Sequence, residues 1–142
     1  MKVNHRARRL ALQGLCCLDV QGPRSMEPVE QFIDDARDGL TITHTAKQLT
    51  RSAFEGRDAC DEILARHARN WDVRRLAVVD RNILRLAVHE LRLGTTPYKV
   101  VITEAVRLAK EFSTAESPRF VNGVLDAVAR ELRDADADKE QN

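Results

Sequence analysis

The segment LAVVDRNILRLAVHEL, residues 76–91, decides the fold class of this chain. Its apolar residues recur at steps of three or four, which places them on one wide stripe of a helix. The stripe consists of Val79, Ile83, Leu84, Ala87, Val88 and Leu91. Gly94 follows closely and is predicted to end the helix. We therefore expect a helix that buries one broad face.

The same helical period continues on both sides of this segment. It covers residues 3–20, 27–38 and 100–112, and a last helix is predicted to begin at Ser117 with Pro118 in its first turn. A longer pattern, from about residue 41 to about residue 67, is predicted to be one helix bent at Gly56. No segment shows the alternation of a strand. The pattern predicts an all-α protein with about seven helices in one domain.

Composition bounds the class of protein. The chain has 142 residues, of which 43% are hydrophobic and 32% charged, and this suffices for one domain with its own core. No apolar run approaches the ~20 residues that a membrane-spanning helix needs. The basic, amphipathic beginning differs from a secretion signal. We expect a cytoplasmic protein that has no membrane partner.

No motif indicates catalysis. The sequence lacks a glycine-rich phosphate loop, a histidine pair with zinc-binding spacing, and a Ser or Cys within a nucleophile turn. The three cysteines include the adjacent Cys16 and Cys17 and the isolated Cys60, which fits neither a disulfide framework nor a zinc knuckle. We therefore expect no enzymatic activity, no cofactor and no metal site.

The charges are unevenly distributed although the net charge is only +1. The first ten residues carry four basic side chains and no acid, whereas residues 131–142 carry five acids and two bases. We expect residues 1–134 to form the domain and residues 135–142 to form an acidic, disordered tail.

The first helix has a polar side of a single sign. At 100° per residue its members fall within roughly 60° of one another, away from the apolar stripe; they are Lys2, Arg6, Arg9 and Gln13. Guanidinium groups suit phosphate because they donate two parallel hydrogen bonds. This ridge predicts contact with RNA. The alternative is a solvated basic face, or one that pairs with Asp or Glu elsewhere in the chain.

The beginning of the last helix carries residues that folding alone does not favour. The segment SPRFVNG, residues 117–123, places Arg119 beside the positive end of a helix. Phe120 could stack on an unpaired base and Asn122 could read a base edge. Phe120 also fits the apolar spacing and could belong to the core. Gly123 costs ~1 kcal/mol relative to Ala inside a helix, so it serves either a close helix contact or the approach of a ligand.

Three blocks of this chain resemble the NusB family of bacterial transcription antitermination factors. They are HRARRLALQGL, LAVVDRNILRLAVHEL and PYKVVITEAVRLAKEFSTAESPRFVNGVLDAVAR. The resemblance implies two small helical bundles packed into one compact domain without enzymatic activity. It also implies binding of single-stranded boxA RNA from ribosomal RNA transcripts, together with the ribosomal protein NusE, within the RNA polymerase antitermination complex.

The resemblance also assigns residues to these partners. Arg6 and Arg8 match the arginine-rich motif that contacts RNA in the family, and Asp80 lies on the side that faces NusE. The segment near the same RNA surface contributes Glu116, Arg119, Phe120 and Asn122. This chain departs from the family at His5, Arg9 and Cys16, where arginine, glutamate and tyrosine are common; we assign no role to Cys16.

Two other classes of function remain as alternatives. One is a helical module or homodimer that binds only protein, with its basic ridge against an acidic partner. The other is an enzyme that acts on RNA, which the missing motifs disfavour.

Overall fold

The computed structural model describes residues 3–68 and 72–140. Within these ranges the chain forms seven α-helices and no β-strand, which confirms the all-α prediction. The helices are α1 (His5–Gln21), α2 (Met26–Asp35), α3 (Leu40–Glu55), α4 (Arg57–His67), α5 (Val78–Leu93), α6 (Tyr98–Phe112) and α7 (Ser117–Glu140). Short 3₁₀ turns at Pro23–Ser25 and Val73–Arg75 precede α2 and α5.

The helices form two groups that are joined through α1 and α5. In the first group α1 packs against α2 and α3; in the second, α4, α6 and α7 pack around α5. Contacts between α1 and α5 run from Arg8 and Glu90 at one end to Asp19 and Asn82 at the other, so these helices are antiparallel. This arrangement is the predicted pair of packed bundles.

Helix α5 is central because it is buried on more than its apolar stripe. Ile83, Leu84, Ala87 and Val88 are buried as predicted. The polar residues Asn82, His89 and Glu90 are buried as well, and each has a hydrogen-bond partner on a neighbouring helix. Desolvated polar groups that are paired in this way fix how α1 and α3 lie on α5.

The contact of α1 with α2 and α3 depends on a glycine. A Cβ atom at Gly14 would lie 2.8 Å from Cγ1 of Val29 on α2 and 3.1 Å from Cγ2 of Thr50 on α3. Such distances leave no room for a methyl group without displacing a neighbour. Gly14 therefore permits the close packing of the first bundle.

Three expectations about the helices are wrong in detail. The long pattern from residue 41 to residue 67 forms two helices and not one, because α3 ends at Glu55 and α4 begins at Arg57, with Gly56 as the cap between them. In residues 27–38 the helical period predicts that Phe32 and Ala36 are buried together with Val29 and Ile33, but Phe32 is 44% exposed, and Ala36, which follows the end of α2, is exposed as well. Of the residues of α2, Val29 and Ile33 are buried, and α2 packs against α1 and α3 of the first bundle.

The acidic segment that was predicted to be a disordered tail is helical in the residues that the structure describes. Helix α7 continues through residues 135–140, and the side chains of residues 133–139 are exposed. Extending an existing helix avoids the costly nucleation step, so an acidic segment can continue α7 without packing against anything. Residues 141–142 lie outside the described ranges.

None of the helices in the described ranges combines the length and the apolar character needed to cross a membrane.

Candidate nucleic-acid interface

Helix α1 starts with a side-chain cap that orients its first turn. The Asn4 Oδ1 atom accepts a hydrogen bond from the backbone N–H of Ala7 at 2.9 Å, as is usual for an N-cap residue. The turns that follow expose Arg6 and Arg9, whose side chains are 66% and 49% exposed. These two arginines, together with Gln13, line one surface groove of about 190 Å³. The structure thus brings together three of the four residues of the predicted ridge.

Lys2, the fourth residue of that ridge, lies outside the described residues.

In the folded chain, acidic side chains from other segments lie beside the basic ridge. Arg6 Nη1 lies 3.7 Å from Asp38 Oδ1, and Arg9 Nε lies 3.2 Å from Glu111 Oε2. The Arg9 guanidinium also lies over the ring of Phe112, 5.5 Å from its centroid. Ion pairs between exposed side chains contribute only about 0–1 kcal/mol each. Arg6 and Arg9 therefore have carboxylate partners that a polyanion can displace.

Arg8 is buried, whereas Arg6 and Arg9 are exposed. Only 3% of the residue is exposed. Its Nε donates to Glu90 Oε2 at 2.9 Å, its Nη2 donates to Glu90 Oε1 at 2.8 Å, and its Nη1 donates to the Val3 carbonyl oxygen at 3.1 Å. A phosphate could take this guanidinium only by leaving a buried carboxylate unpaired. This buried pairing argues against the prediction that Arg8 contacts RNA, which stays a prediction.

His5 connects α1 to α6. Its Nδ1 lies 2.7 Å from Glu104 Oε2 and its Nε2 lies 2.5 Å from Glu111 Oε1. The imidazole is half-buried between the two carboxylates. The His5 side chain thereby holds the beginning of α1 against the last two turns of α6.

The beginning of α7 is fastened to α5 by hydroxyl groups. Ser113 Oγ donates to Asp80 Oδ1 at 2.6 Å, and Ser117 Oγ donates to Asp80 Oδ2 at 3.1 Å. The Ser117 hydroxyl also lies 2.8 Å from that of Ser113 and 2.9 Å from that of Thr114. Asp80 therefore fixes the α6–α7 connection. The predicted contact of Asp80 with a protein partner stays a prediction.

The first two turns of α7 present polar side chains to solvent. Arg119 and Asn122 are exposed, and Asn122 Nδ2 donates to Asp126 Oδ2 at 3.4 Å. A Cβ atom at Gly123 would have no other described atom within 4 Å. Of the two roles considered for Gly123, the close helix contact is therefore wrong. An open backbone position beside Asn122 is left, which suits the approach of a ligand.

Phe120 and Glu116 line a cavity of about 300 Å³ between the α5 start and the α7 start. Phe120 is half-buried and packs against the core, while Glu116 is exposed. Asp80 and Arg75 line the same cavity. Phe120 therefore contacts the core, as one alternative predicts, and it also borders an accessible cavity; its stacking on a base stays a prediction.

The arginine groove and the α7 start are neighbours. Arg9 lies over Phe112, and the next residue, Ser113, is hydrogen-bonded to Ser117 at the first position of α7. The end of α6 is therefore the short bridge between the two sets of predicted residues. Both sets of residues therefore adjoin the end of α6.

Other chemistry is not supported in the described part of the chain. No group of three or more His, Cys, Asp or Glu side chains there could hold a metal ion. Burial, together with the nearby charge of Asp19, raises the pKa of the Cys16 thiol to about 11, so this thiol is neutral.

His89 lies in the interior. Burial, together with the charge of Arg92, lowers the pKa of His89, and the Nε2 atom of His89 lies 2.9 Å from the Ser52 hydroxyl.

Sequence reasoning missed three residues that shape this surface. Glu111 and Phe112 hold the Arg9 side chain, and Ser113 joins the end of α6 to Asp80 and Ser117. All three stand in the short stretch EFS, residues 111–113, where the α6 pattern ends. The position next to a predicted site is the only signal that could have singled them out.

Comparisons with known proteins support the same family. The NusB family model matches residues 5–130. The transcription antitermination protein NusB of Symbiobacterium thermophilum is 42% identical over 92% of this chain and 91% of its own length. The NusB of Solibacter usitatus is 42% identical over 96% of this chain and 95% of its own length.

Solved structures show the same fold. T. maritima NusB superposes with a TM-score of 0.76 and 35% identity, covering 92% of this chain and 94% of that one. A NusB chain from a crystal structure of the antitermination factors NusB and NusE in complex with dsRNA gives a TM-score of 0.80 and 29% identity, covering 89% of this chain and 96% of that one. The chain described here belongs to the NusB family of transcription antitermination proteins.

Proposed function

We propose that this protein is a non-catalytic cytoplasmic adaptor that binds single-stranded boxA RNA of ribosomal RNA transcripts. In this role it acts together with NusE within the RNA polymerase antitermination complex. The observation that carries the proposal is the adjacency of two surfaces: the groove lined by Arg6, Arg9 and Gln13, and the exposed start of α7 with Arg119 and Asn122. The relative whose solved structure contains NusE and dsRNA has the same fold.

The two surfaces have complementary chemistry for RNA. Arg6, Arg9 and Arg119 supply guanidinium groups for phosphate, which gives affinity without sequence selection. Asn122 supplies an amide that can donate to and accept from a base edge, and the open Gly123 lets a nucleotide approach the helix. Phe120 borders the cavity next to them and offers part of its ring for stacking.

A protein partner is proposed for the side on which Asp80 lies. Asp80 fastens α7 from within, and the cavity of about 300 Å³ opens beside it. A partner such as NusE that contacts this region would touch the same helix end that positions Arg119 and Asn122. Binding of protein and RNA on adjoining surfaces would then be mutually supportive.

The experiment is a titration of labelled single-stranded boxA RNA with this protein at two salt concentrations, with and without NusE. We expect a complex that weakens with salt, with a log–log slope of about −0.7 for each phosphate contact. NusE is expected to raise the affinity. If no complex forms in either case, a module or homodimer that binds only protein is the better account; cleaved or modified RNA would instead indicate an enzyme.

A further inference from the structure

The carboxylate of Glu111 lies among three side chains with nitrogen donors beside the arginine groove. Its Oε1 lies 2.5 Å from His5 Nε2 and 3.5 Å from Arg107 Nε, and its Oε2 lies 3.2 Å from Arg9 Nε. The Glu111 side chain is 30% exposed. One carboxylate on the last turn of α6 therefore binds side chains from α1 and from α6 itself.

The arginines of this region are balanced by carboxylates. Arg8 is matched by Glu90 in the interior, and Glu104 lies 3.9 Å from both Arg8 and Arg107. Glu111 is the carboxylate that directly faces the exposed Arg9. Removing the Glu111 charge would thus leave Arg9 as an uncompensated cation on the groove, whereas the buried pair of Arg8 would not change.

Carboxylate and phosphate compete for the same atoms of a guanidinium. Both are anions that accept the N–H groups of arginine. Phosphate that binds Arg9 through Nε has to displace Glu111 Oε2, and the cost of displacing it is subtracted from the free energy of binding RNA. The pair is exposed, so the cost is modest and RNA can still bind.

We infer that Glu111 is an internal competitor for RNA phosphate at Arg9 and limits the sequence-independent part of the affinity for RNA. The inference rests on the proposed function, since it concerns the strength of the same RNA site. Its effect falls equally on boxA RNA and on RNA of scrambled sequence, because a phosphate contact does not read bases.

The test measures binding of labelled boxA RNA and scrambled RNA to the wild type and to Glu111→Gln by fluorescence anisotropy at two salt concentrations. Glutamine keeps the shape of the side chain and can still accept a hydrogen bond from Arg9. We expect affinity for both RNAs to rise by the same factor, about 3–10-fold at the lower salt, and the salt slope to steepen by up to about 0.7. Glu62→Gln, an exposed change of the same charge on α4, is the control and should leave affinity unchanged.

A double variant tests whether Glu111 acts through Arg9. In the Arg9→Ala background, Glu111→Gln should change the affinity much less than it does in the wild type. Three results would overturn the inference, provided that the wild type binds RNA. The first is an affinity of Glu111→Gln for RNA that is no higher than that of the wild type. The others are an equal gain in affinity in Glu62→Gln, and a gain from Glu111→Gln that persists in the Arg9→Ala background. The proposed function survives all three results. If neither the wild type nor Glu111→Gln binds RNA, the inference and the proposed function are both overturned.

Discussion

Arg8 of α1 and Glu90 of α5 form a two-fold hydrogen-bonded ion pair in the protein interior, with N–O distances of 2.9 and 2.8 Å. The two residues are only 3% and 4% exposed. An arginine of the basic N-terminal motif thus joins the two bundles, and it does so away from the surface. Its position separates the arginines that stabilise the fold from those that are available to a ligand.

Replacement of Arg8 should therefore affect folding before it affects binding. Arg8→Met leaves Glu90 as a buried carboxylate without its partner, and we expect the free energy of unfolding to fall by about 3–5 kcal/mol. Urea denaturation followed by circular dichroism measures this. The double variant Arg8→Met with Glu90→Leu should recover most of the loss, because both charges are gone. A loss below about 1 kcal/mol in Arg8→Met would contradict the structural role assigned to this pair.

Two glycine substitutions should have opposite effects on stability. Gly123→Ala places a methyl group in open space, so we expect stability to rise by about 0.5–1 kcal/mol. Gly14→Ala forces a methyl group against Val29 and Thr50, and we expect a loss of about 1–3 kcal/mol. If RNA approaches the backbone at Gly123, the stabilised Gly123→Ala variant should also bind RNA more weakly. Equal RNA affinity of this variant and the wild type would exclude such an approach.

Asn122 is the residue expected to read a base. In Asn122→Ala the ratio of affinities for boxA and scrambled RNA should fall more than the affinity for scrambled RNA does, because an amide contact to a base edge distinguishes sequences. Competition binding with both RNAs measures the ratio. An Asp126→Ala variant, which removes the hydrogen-bond partner of Asn122 but keeps the amide, serves as the comparison. Losses of equal size for both RNAs in Asn122→Ala would count against base reading.

The ion pairs of Glu131 should make the stability of the fold depend on pH. Hydrogen bonds from Arg66 and then His67 lower the pKa of Glu131 from 4.5 to about 2 in the folded protein. A carboxyl group with a depressed folded pKa contributes stability above its unfolded pKa, and this contribution disappears as the pH falls from about 5 to about 2. Glu131→Gln should be less stable than the wild type at neutral pH, and the difference should shrink across that range. Thermal unfolding at a series of pH values tests this; a constant difference down to pH 2 would show that the pairing has no such effect.

The helical period is a sound guide to where helices lie, since residues 78–91 of the first segment lie in α5 and residues 100–112 lie in α6. It could not show that the pattern after residue 41 is divided at Gly56, because an interruption of a single residue leaves the spacing of apolar residues almost unchanged. The helical period also indicates that Arg8 is buried, whereas the resemblance to the NusB family assigns Arg8 to the motif that contacts RNA. Arg8 stands four and seven residues before the buried Leu12 and Leu15, and so lies on the buried side of α1.

The neighbours of the candidate site could not be predicted from the sequence. Glu111 and Arg9 are 102 positions apart in the chain, and only the folding of α1 and α6 onto α5 brings their charges together. The alternative that the basic ridge pairs with Asp or Glu elsewhere in the chain is correct for two contacts. Arg6 pairs with Asp38, and Arg9 pairs with Glu111. Charge along one helix face therefore does not determine the potential at the folded surface.

The central claim is that Arg6 and Arg9 contribute directly to RNA binding, and charge reversal tests it most directly. Arg6→Glu with Arg9→Glu is compared with Arg51→Glu and Arg130→Glu, a matched pair of exposed arginines on α3 and on the later part of α7. Both double variants change the net charge equally, and circular dichroism confirms that each is folded. The account predicts that only the first pair lowers the affinity for boxA RNA, by roughly tenfold or more, and flattens the salt slope by up to about 1.4. Unchanged RNA binding by the Arg6 and Arg9 variant, or an equal loss in both, would contradict it.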